Sequence, residues 1–384
     1  MAYTVLARRY RSRDFDEVVG QEPIARTLRN AIRSGRVAHA YLFCGTRGVG
    51  KTTMARLFAK ALNTPKDGAL SDEVAQAIMT GRDQDVIEID AASNRGVENA
   101  RELIANCVYR PMRGPYKVYI IDEVHGLTRD AFNTLLKTME EPPEHVKFIL
   151  CTTEAHKVPA TIQSRCQRFD FRDIPSSLIA EHMAKVIRQE GLDAEPELIA
   201  EVSRLGNGSM RDALSLLDRL MAAGEKRLTV KLLEELLGLP DRTLVGALID
   251  TFAEGDAGAA LDRTAELLAK GVGVEQLLET LMGRLRDLMI LAACGPKTSL
   301  LDLSGGTREE EVARAARFDA AGLVHMIAVC ESVQRAAKGS AMPRALLDAG
   351  IVRLAMTEKL AEVTALVTQL EGGGPPGKPA GRRG

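Results

Sequence analysis

The sequence predicts an α/β domain with a parallel sheet at the front of the chain, followed by two domains built of helices alone. Three observations carry this. Short apolar runs alternate with helical patterns as far as about residue 175, and strands alternating with helices make a parallel sheet covered on its faces. Beyond Pro175 the strand signals stop, while Leu- and Ala-rich helical patterns continue. The chain has 384 residues, which at roughly 100–200 residues per domain allows two or three domains.

The expected strands are 40–43, 86–89, 118–121, 148–151 and, more weakly, 167–171. Between them, Met54, Leu57, Phe58, Ala61 and Leu62 recur at helical spacing, as do Val97, Ala100, Ile104 and Val108, and then Phe132, Leu135, Leu136 and Met139. Glu140-Glu141-Pro142-Pro143 stops the last of these. Residues 71–79 can form a small helix with Val74, Ala75 and Ile78 inward. The helices of 178–221 are separated by Gly191 and by Gly206-Asn207-Gly208. The expected organisation is an α/β domain at 1–175, a small helical domain at 176–238 and a larger helical domain at 239–370. The stretch 371–384 has no core-forming side chain and reads as a flexible tail.

Composition excludes several classes. Lys plus Arg number 51 against 52 Asp plus Glu, a net charge of -1, so the chain does not grip nucleic acid through overall charge. Aromatics are 4% with no Trp, too few to stack a single strand base by base. Cys44, Cys107, Cys151, Cys166, Cys294 and Cys330 include no C-x-x-C pair and are expected as small core residues rather than disulfides or a zinc ribbon. With neither a signal peptide nor a long apolar run, a cytoplasmic protein is expected.

Residues 45–52 read Gly45-Thr46-Arg47-Gly48-Val49-Gly50-Lys51-Thr52 and fit G-x-x-x-x-G-K-[ST], after a strand and at the start of a helix. Glycines let the backbone curl so that successive N–H groups meet phosphate oxygens, and the helix adds its positive end. Lys51 would reach the β- and γ-phosphates and Thr52 would place its hydroxyl on Mg²⁺. The apolar run before Asp122-Glu123 sends two carboxylates to a strand's carboxyl end. Asp122 would hold the hydrated Mg²⁺, and Glu123 would polarise an attacking water. Thr153 ends the next strand, either as a β-branched terminus or as a hydroxyl that reports the nucleotide. Arg211, off the apolar stripe of Met210, Ala213, Leu214 and Leu217, is either solvated or reaches from the second domain to the nucleotide.

In this order the elements resemble the AAA+ ATPases. VLARRYR, Phe15 and VVGQ, then HAYLF, GTRGVGKT, IDEVHGLT, AFNTLLKTMEEPPEHVKFILCTTE, TIQSRCQRF and GSMRDALSLLD together resemble the gamma/tau subunits of the bacterial DNA polymerase III clamp loader, densely over 1–235. The resemblance implies that the helical domain at 176–238 is a lid and that 239–370 is an oligomerisation collar. It implies adenine binding by the N-terminal boxes, with Ala7, Tyr10, Val18 and Val19 in the ATP site. It gives Thr153 the first sensor role and Arg211 the second. Arg165, in Ser164-Arg165-Cys166, is implied to act in trans on a neighbouring subunit's ATP. Asn94, Arg95 and Thr161 fall where family members face DNA.

Two departures stand out. The family's four-cysteine zinc module has no counterpart, because 63–81 contains neither Cys nor His, and zinc needs such ligands. No zinc is therefore expected. Longer family forms continue into helicase- and polymerase-binding domains, so the chain resembles the short gamma-type form. The expected function is that of an ATP- and Mg²⁺-dependent motor subunit in a hetero-pentamer, loading the sliding clamp on primed DNA through backbone contacts. It would hydrolyse ATP but not itself polymerise DNA. The alternative is another AAA+ DNA-processing motor, either a branch-migration helicase or a helicase loader. The former would be expected to end in a winged helix. A non-hydrolysing loader subunit would carry a damaged phosphate loop, and this one is intact.

Overall fold

The computed structural model describes residues 3–65, 68–93, 105–298, 300–301 and 305–357, with the backbone alone for 305–307. The chain divides into two compact units, Met1–Ala194 with Ile199–Leu228, and Glu195–Leu198 with Thr229–Gly384.

The first unit is organised by five strands, β1 (Ala40–Cys44), β2 (Val86–Asp90), β3 (Lys117–Asp122), β4 (Val146–Thr152) and β5 (Gln167–Asp170). They pair in the order β2-β3-β4-β1-β5, all parallel. Side chains alternate between the two faces of a strand, and both faces are covered. Tyr41, Phe43, Val118, Ile120, Ile149 and Cys151 join one core with Met54, Leu57 and Phe58. Their neighbours Leu42, Tyr119, Ile121, Phe148 and Leu150 join another with Phe132, Leu135 and Met139. This explains why the strands read as unbroken apolar runs. The edge strand β5 is mostly exposed, and its sequence signal is correspondingly the weakest.

Ahead of the sheet lie α1 (Leu6–Arg9) and α2 (Glu22–Arg33). The covering helices are α3 (Lys51–Asn63), α4 (Asp72–Thr80), α5 (Arg129–Glu140) and the single turn α6 (Ala160–Gln163). The Ser71 side chain accepts from Val74 N to start α4, and that of Thr128 accepts from Ala131 N to start α5. Ile78 is the fully buried residue of α4. After Pro175 come α7 (Ser176–Gln189), α8 (Pro196–Leu205) and α9 (Met210–Met221).

Three expectations need correction. A two-residue pair of parallel strands, β6 (Asp193–Ala194) with β7 (Arg227–Leu228), lies beyond Pro175; two residues are too few to produce a period. Val108 is 75% exposed instead of inward, while Val97, Ala100 and Ile104 lie outside the described residues. Cys294 is exposed at the end of its helix, and Cys166 is half-buried.

The second unit holds α10 (Val230–Leu237), α11 (Arg242–Glu254), α12 (Ala257–Ala269), α13 (Val274–Cys294), α14 (Gly305–Ala315), α15 (Ala320–Ala337) and α16 (Pro343–Ala355). Leu277, Leu281, Leu285 and Leu288 run down one face of α13 into a core with Phe252, Met326 and Ile351, the apolar stripe of a core-facing helix. One buried carboxylate, Glu311, joins Arg284 and Arg314. Arg314 continues to Asp250 at 3.0 Å. Burial pushes the Arg284 pKa down while Glu311 opposes the shift. Removing one member of such a group strands the other's charge. Glu311→Ala is therefore expected to cost about 3–5 kcal/mol, read as a lower urea midpoint of the full chain. An unchanged midpoint would mean that Arg284 reaches water.

Candidate nucleotide-binding site

The chain leaves β1, runs to the far edge at β2, returns through β3 and β4, and crosses to β5 beyond β1. Ligands in open α/β sheets sit where strand order reverses, beyond the carboxyl ends. Loop 45–50 follows β1 at that point, and Gly45 N donates to Thr152 O at the end of β4 (3.2 Å). Gly50 takes the left-handed conformation (φ 99°) immediately before α3. Gly48 is also left-handed (φ 79°), and a Cβ there would meet the Ser209 hydroxyl at 1.9 Å. Glycine is required at both positions for the loop to curl, and at Gly48 for the lid to approach.

Lys51 opens α3 and is 5% exposed. Its ammonium donates to the carbonyls of Gly45 (2.8 Å) and Thr46 (2.6 Å). Burial lowers its pKa, while Glu123 and Asp122 pull the other way. The Thr52 hydroxyl donates to Asp122 Oδ2 at 2.7 Å. Burial raises the Asp122 pKa, opposed by hydrogen bonds from Thr52 and from Glu123 N. A hydroxyl and a carboxylate side by side are hard oxygen donors of the kind Mg²⁺ takes while keeping several waters, so these residues fit that ion. Among the described residues, no group of three or more His, Cys, Asp or Glu could hold a metal.

Glu123 has φ 47°, a left-handed conformation rare outside glycine. This turns the chain sharply off β3. Thr153 Oγ1 donates to Glu123 Oε2 at 3.0 Å, and His125 Nδ1 lies 3.4 Å from the same oxygen. A cleft of about 880 Å³ opens here. Loop residues Arg47 to Thr52 line it, as do Asp122, Glu123 and Arg211. Ala7, Tyr10, Val18 and Val19 also line it. The Tyr10 hydroxyl donates to Glu190, Arg9 pairs with Glu190, and the Tyr3 hydroxyl donates to Asp218 on α9.

Gly45 and Thr46 contribute through the carbonyls that hold Lys51, and the Thr46 hydroxyl donates to Asp173. Arg165 is not among the cleft residues; it pairs with Glu140 at 2.6 Å and donates to Thr161 O. Thr161 is exposed on α6, and Asn94 and Arg95 lie outside the described residues. Sequence reasoning missed Arg11, Thr53, Ile174, Met210 and Leu214 as cleft residues. Thr53 directly follows the Lys-Thr pair, which could have marked it. Met210 and Leu214 lie within GSMRDALSLLD, where they read as core residues of the helix, and Ile174 carries no motif. Burial lowers the Arg11 pKa to about 10, helped by the neighbouring charge of Arg56.

A phosphate loop on β1, carboxylates at the end of β3 and a helical lid on this sheet order define a P-loop protein of the AAA+ ATPase class. The family described as DNA polymerase III, delta subunit, matches residues 20–175. The clamp loader subunit ATPase lid domain matches 178–226, and DNA polymerase III subunits gamma and tau domain III matches 228–370. DNA polymerase III subunit gamma of Buchnera aphidicola subsp. Schizaphis graminum is 38% identical over 296 residues, covering 76% of this chain and 81% of that protein. DNA polymerase III subunit tau of Bacillus subtilis is 38% identical over 382 residues, covering 97% and 67%. That of Escherichia coli is 41% identical over 323 residues, covering 82% and 50%. This chain belongs to the DNA polymerase III gamma/tau clamp-loader family. It spans about half the length of the Escherichia coli and Haemophilus influenzae relatives.

Gly48→Ala adds both a contact with Ser209 and left-handed strain of about 1–2 kcal/mol. Nucleotide affinity is expected to fall about tenfold, measured by titration with a fluorescent ATP analogue. Unchanged affinity would mean that the lid yields freely at Ser209.

Proposed function

We propose that this chain is an ATP-driven motor subunit of a DNA polymerase III clamp loader, acting in the cytoplasm to open the sliding clamp and load it on primed DNA. The observation that carries the hydrolytic reading is the meeting of Thr52, Asp122 and Glu123 at the mouth of the phosphate loop, with Thr52 and Asp122 2.7 Å apart.

Lys51, held by two loop carbonyls, exchanges them for the β- and γ-phosphate oxygens of ATP. Thr52 and Asp122 hold Mg²⁺, which when bound neutralises charge building on the phosphates. Glu123 accepts a proton from water as the water oxygen bonds to the γ-phosphorus and the bond to the bridging oxygen breaks, releasing ADP and phosphate. Thr153 bonds Glu123 and so couples the end of β4 to this step. Arg211, beside Gly48 in the cleft, ties lid position to nucleotide state. The apolar and N-terminal residues Ala7, Tyr10, Val18 and Val19 take the adenine.

Arg165 serves a neighbour's nucleotide. Its absence from its own cleft and its pairing with the half-exposed Glu140 support this, because a surface ion pair contributes little and is readily exchanged. The fully assembled site then needs other subunits in a hetero-pentamer. Thr161, with Asn94 and Arg95, is the proposed DNA-facing set, reading the backbone and not base edges. The chain itself does not polymerise DNA and needs no zinc. The competing reading, another AAA+ DNA motor, makes no demand for a clamp.

Glu123→Gln is expected to keep ATP affinity and to lower kcat by about 10²–10⁴. Arg165→Ala should leave binding intact and remove the stimulation that partner subunits, clamp and primed DNA give together, by about 10³. Steady-state ATPase with and without those components checks both. Turnover indifferent to clamp and primer junction would favour the competing motor.

A further inference from the structure

His125 stands outside every role assigned above, yet it joins the ends of two strands. Its Nε2 lies 3.1 Å from Glu154 Oε2, and its Nδ1 lies 3.0 Å from the hydroxyl of Thr152. Lys157 donates to Glu154 and holds that carboxyl below its usual range. An ionised Glu154 can only accept, so Nε2 is the donor towards it. Nδ1 also lies 3.4 Å from Glu123 Oε2, the carboxylate oxygen that Thr153 holds. The oxygen of the Thr152 hydroxyl accepts from Glu154 N at 3.0 Å while it faces Nδ1, so one hydroxyl ties the ring to the backbone on the far side of Thr153. Thr152 is completely buried, while the His125 and Glu154 side chains keep some exposure to solvent.

The residues that His125 grips are the two on either side of Thr153. Thr153 in turn presents its hydroxyl at 3.0 Å, and its backbone N–H at 3.4 Å, to Oε2 of Glu123. The grip starts two residues after Glu123 and returns to it through Thr153, closing a loop between β3 and β4. We infer that His125 is a positioning residue for ATP hydrolysis: by holding Thr152 and Glu154 it fixes Thr153 against Oε2 of Glu123 and leaves Oε1 to take the proton of the attacking water. This rests on the reading of Glu123 as the base. Outer residues that orient a working group in this way commonly matter to rate without touching substrate.

The test is steady-state ATP hydrolysis by the full chain assembled with its partner subunits, clamp and primed DNA, alongside the Kd for a non-hydrolysable ATP analogue. His125→Ala is expected to lower kcat about tenfold while KM and the analogue Kd stay within about twofold. His125→Asn, whose amide oxygen can accept from Thr152, and His125→Gln, whose amide can donate to Glu154, should each recover part of the rate. Thr153→Val should also slow turnover, and adding His125→Ala to it should cause no further loss, because the effect runs through Thr153. An unchanged kcat in His125→Ala, losses that multiply in the double variant, or a loss of analogue affinity that parallels the loss of rate would each overturn the inference. Glu123→Gln run beside them separates the two levels. If it keeps turnover, the reading of Glu123 fails; if it loses turnover while His125→Ala does not, only the role of His125 fails.

Discussion

The hydrogen bond from Thr52 to Asp122 is the constraint around which the first unit is arranged. The partners are 70 residues apart; Thr52 lies in the first turn of α3, which follows β1, and Asp122 ends β3, with β4 between those two strands. Bringing them together requires the first turn of α3 to hang over the carboxyl ends of three strands in register. That in turn requires α3 to bury Met54, Leu57 and Phe58 on the sheet face presented by Tyr41, Phe43, Ile120 and Ile149. The polar contact is small, but the apolar surface that sets its geometry is large.

Buried charge in both units is met by partners instead of being avoided. Lys51 is satisfied by two carbonyls. Arg56 forms a two-pronged pair with Glu88 at 2.6 and 2.7 Å. Asp85, 4% exposed, accepts from the backbone N–H groups of Met112, Arg113 and Gly114. Such groups are costly to leave alone, so each fixes the loop or helix that supplies its partner. Asp85 pins the segment before β3 in this way, and so helps to place Asp122 at that strand's other end.

Much of this was legible in the sequence because the relevant signals are dense. Strands covered on both faces read as uninterrupted apolar runs, and the phosphate loop combines eight specified or spaced positions with a strand before and a helix after. Other features leave no such trace. The left-handed turn at Glu123 is carried by an ordinary glutamate, and β6 with β7 is shorter than any repeat. The pairing of Arg165 with Glu140 joins elements whose approach depends on the whole fold. His125 is one histidine after a strand, and only the three-dimensional path of β4 shows that it brackets Thr153. Cys294 sits among apolar neighbours yet points outward, because a helix end exposes one face whatever its composition.

Chain order and mechanical order differ at the N-terminal segment. Tyr3 and Leu6 are hydrogen-bonded to Asp218, and Arg9 and Tyr10 to Glu190, so residues that precede the sheet are fastened to helices that follow it. The cleft wall carrying Ala7 and Tyr10 therefore travels with α7 and α9 whenever those helices shift. The segment is thus a strap whose buckle is on the lid, and prising the lid away would draw that wall of the cleft with it.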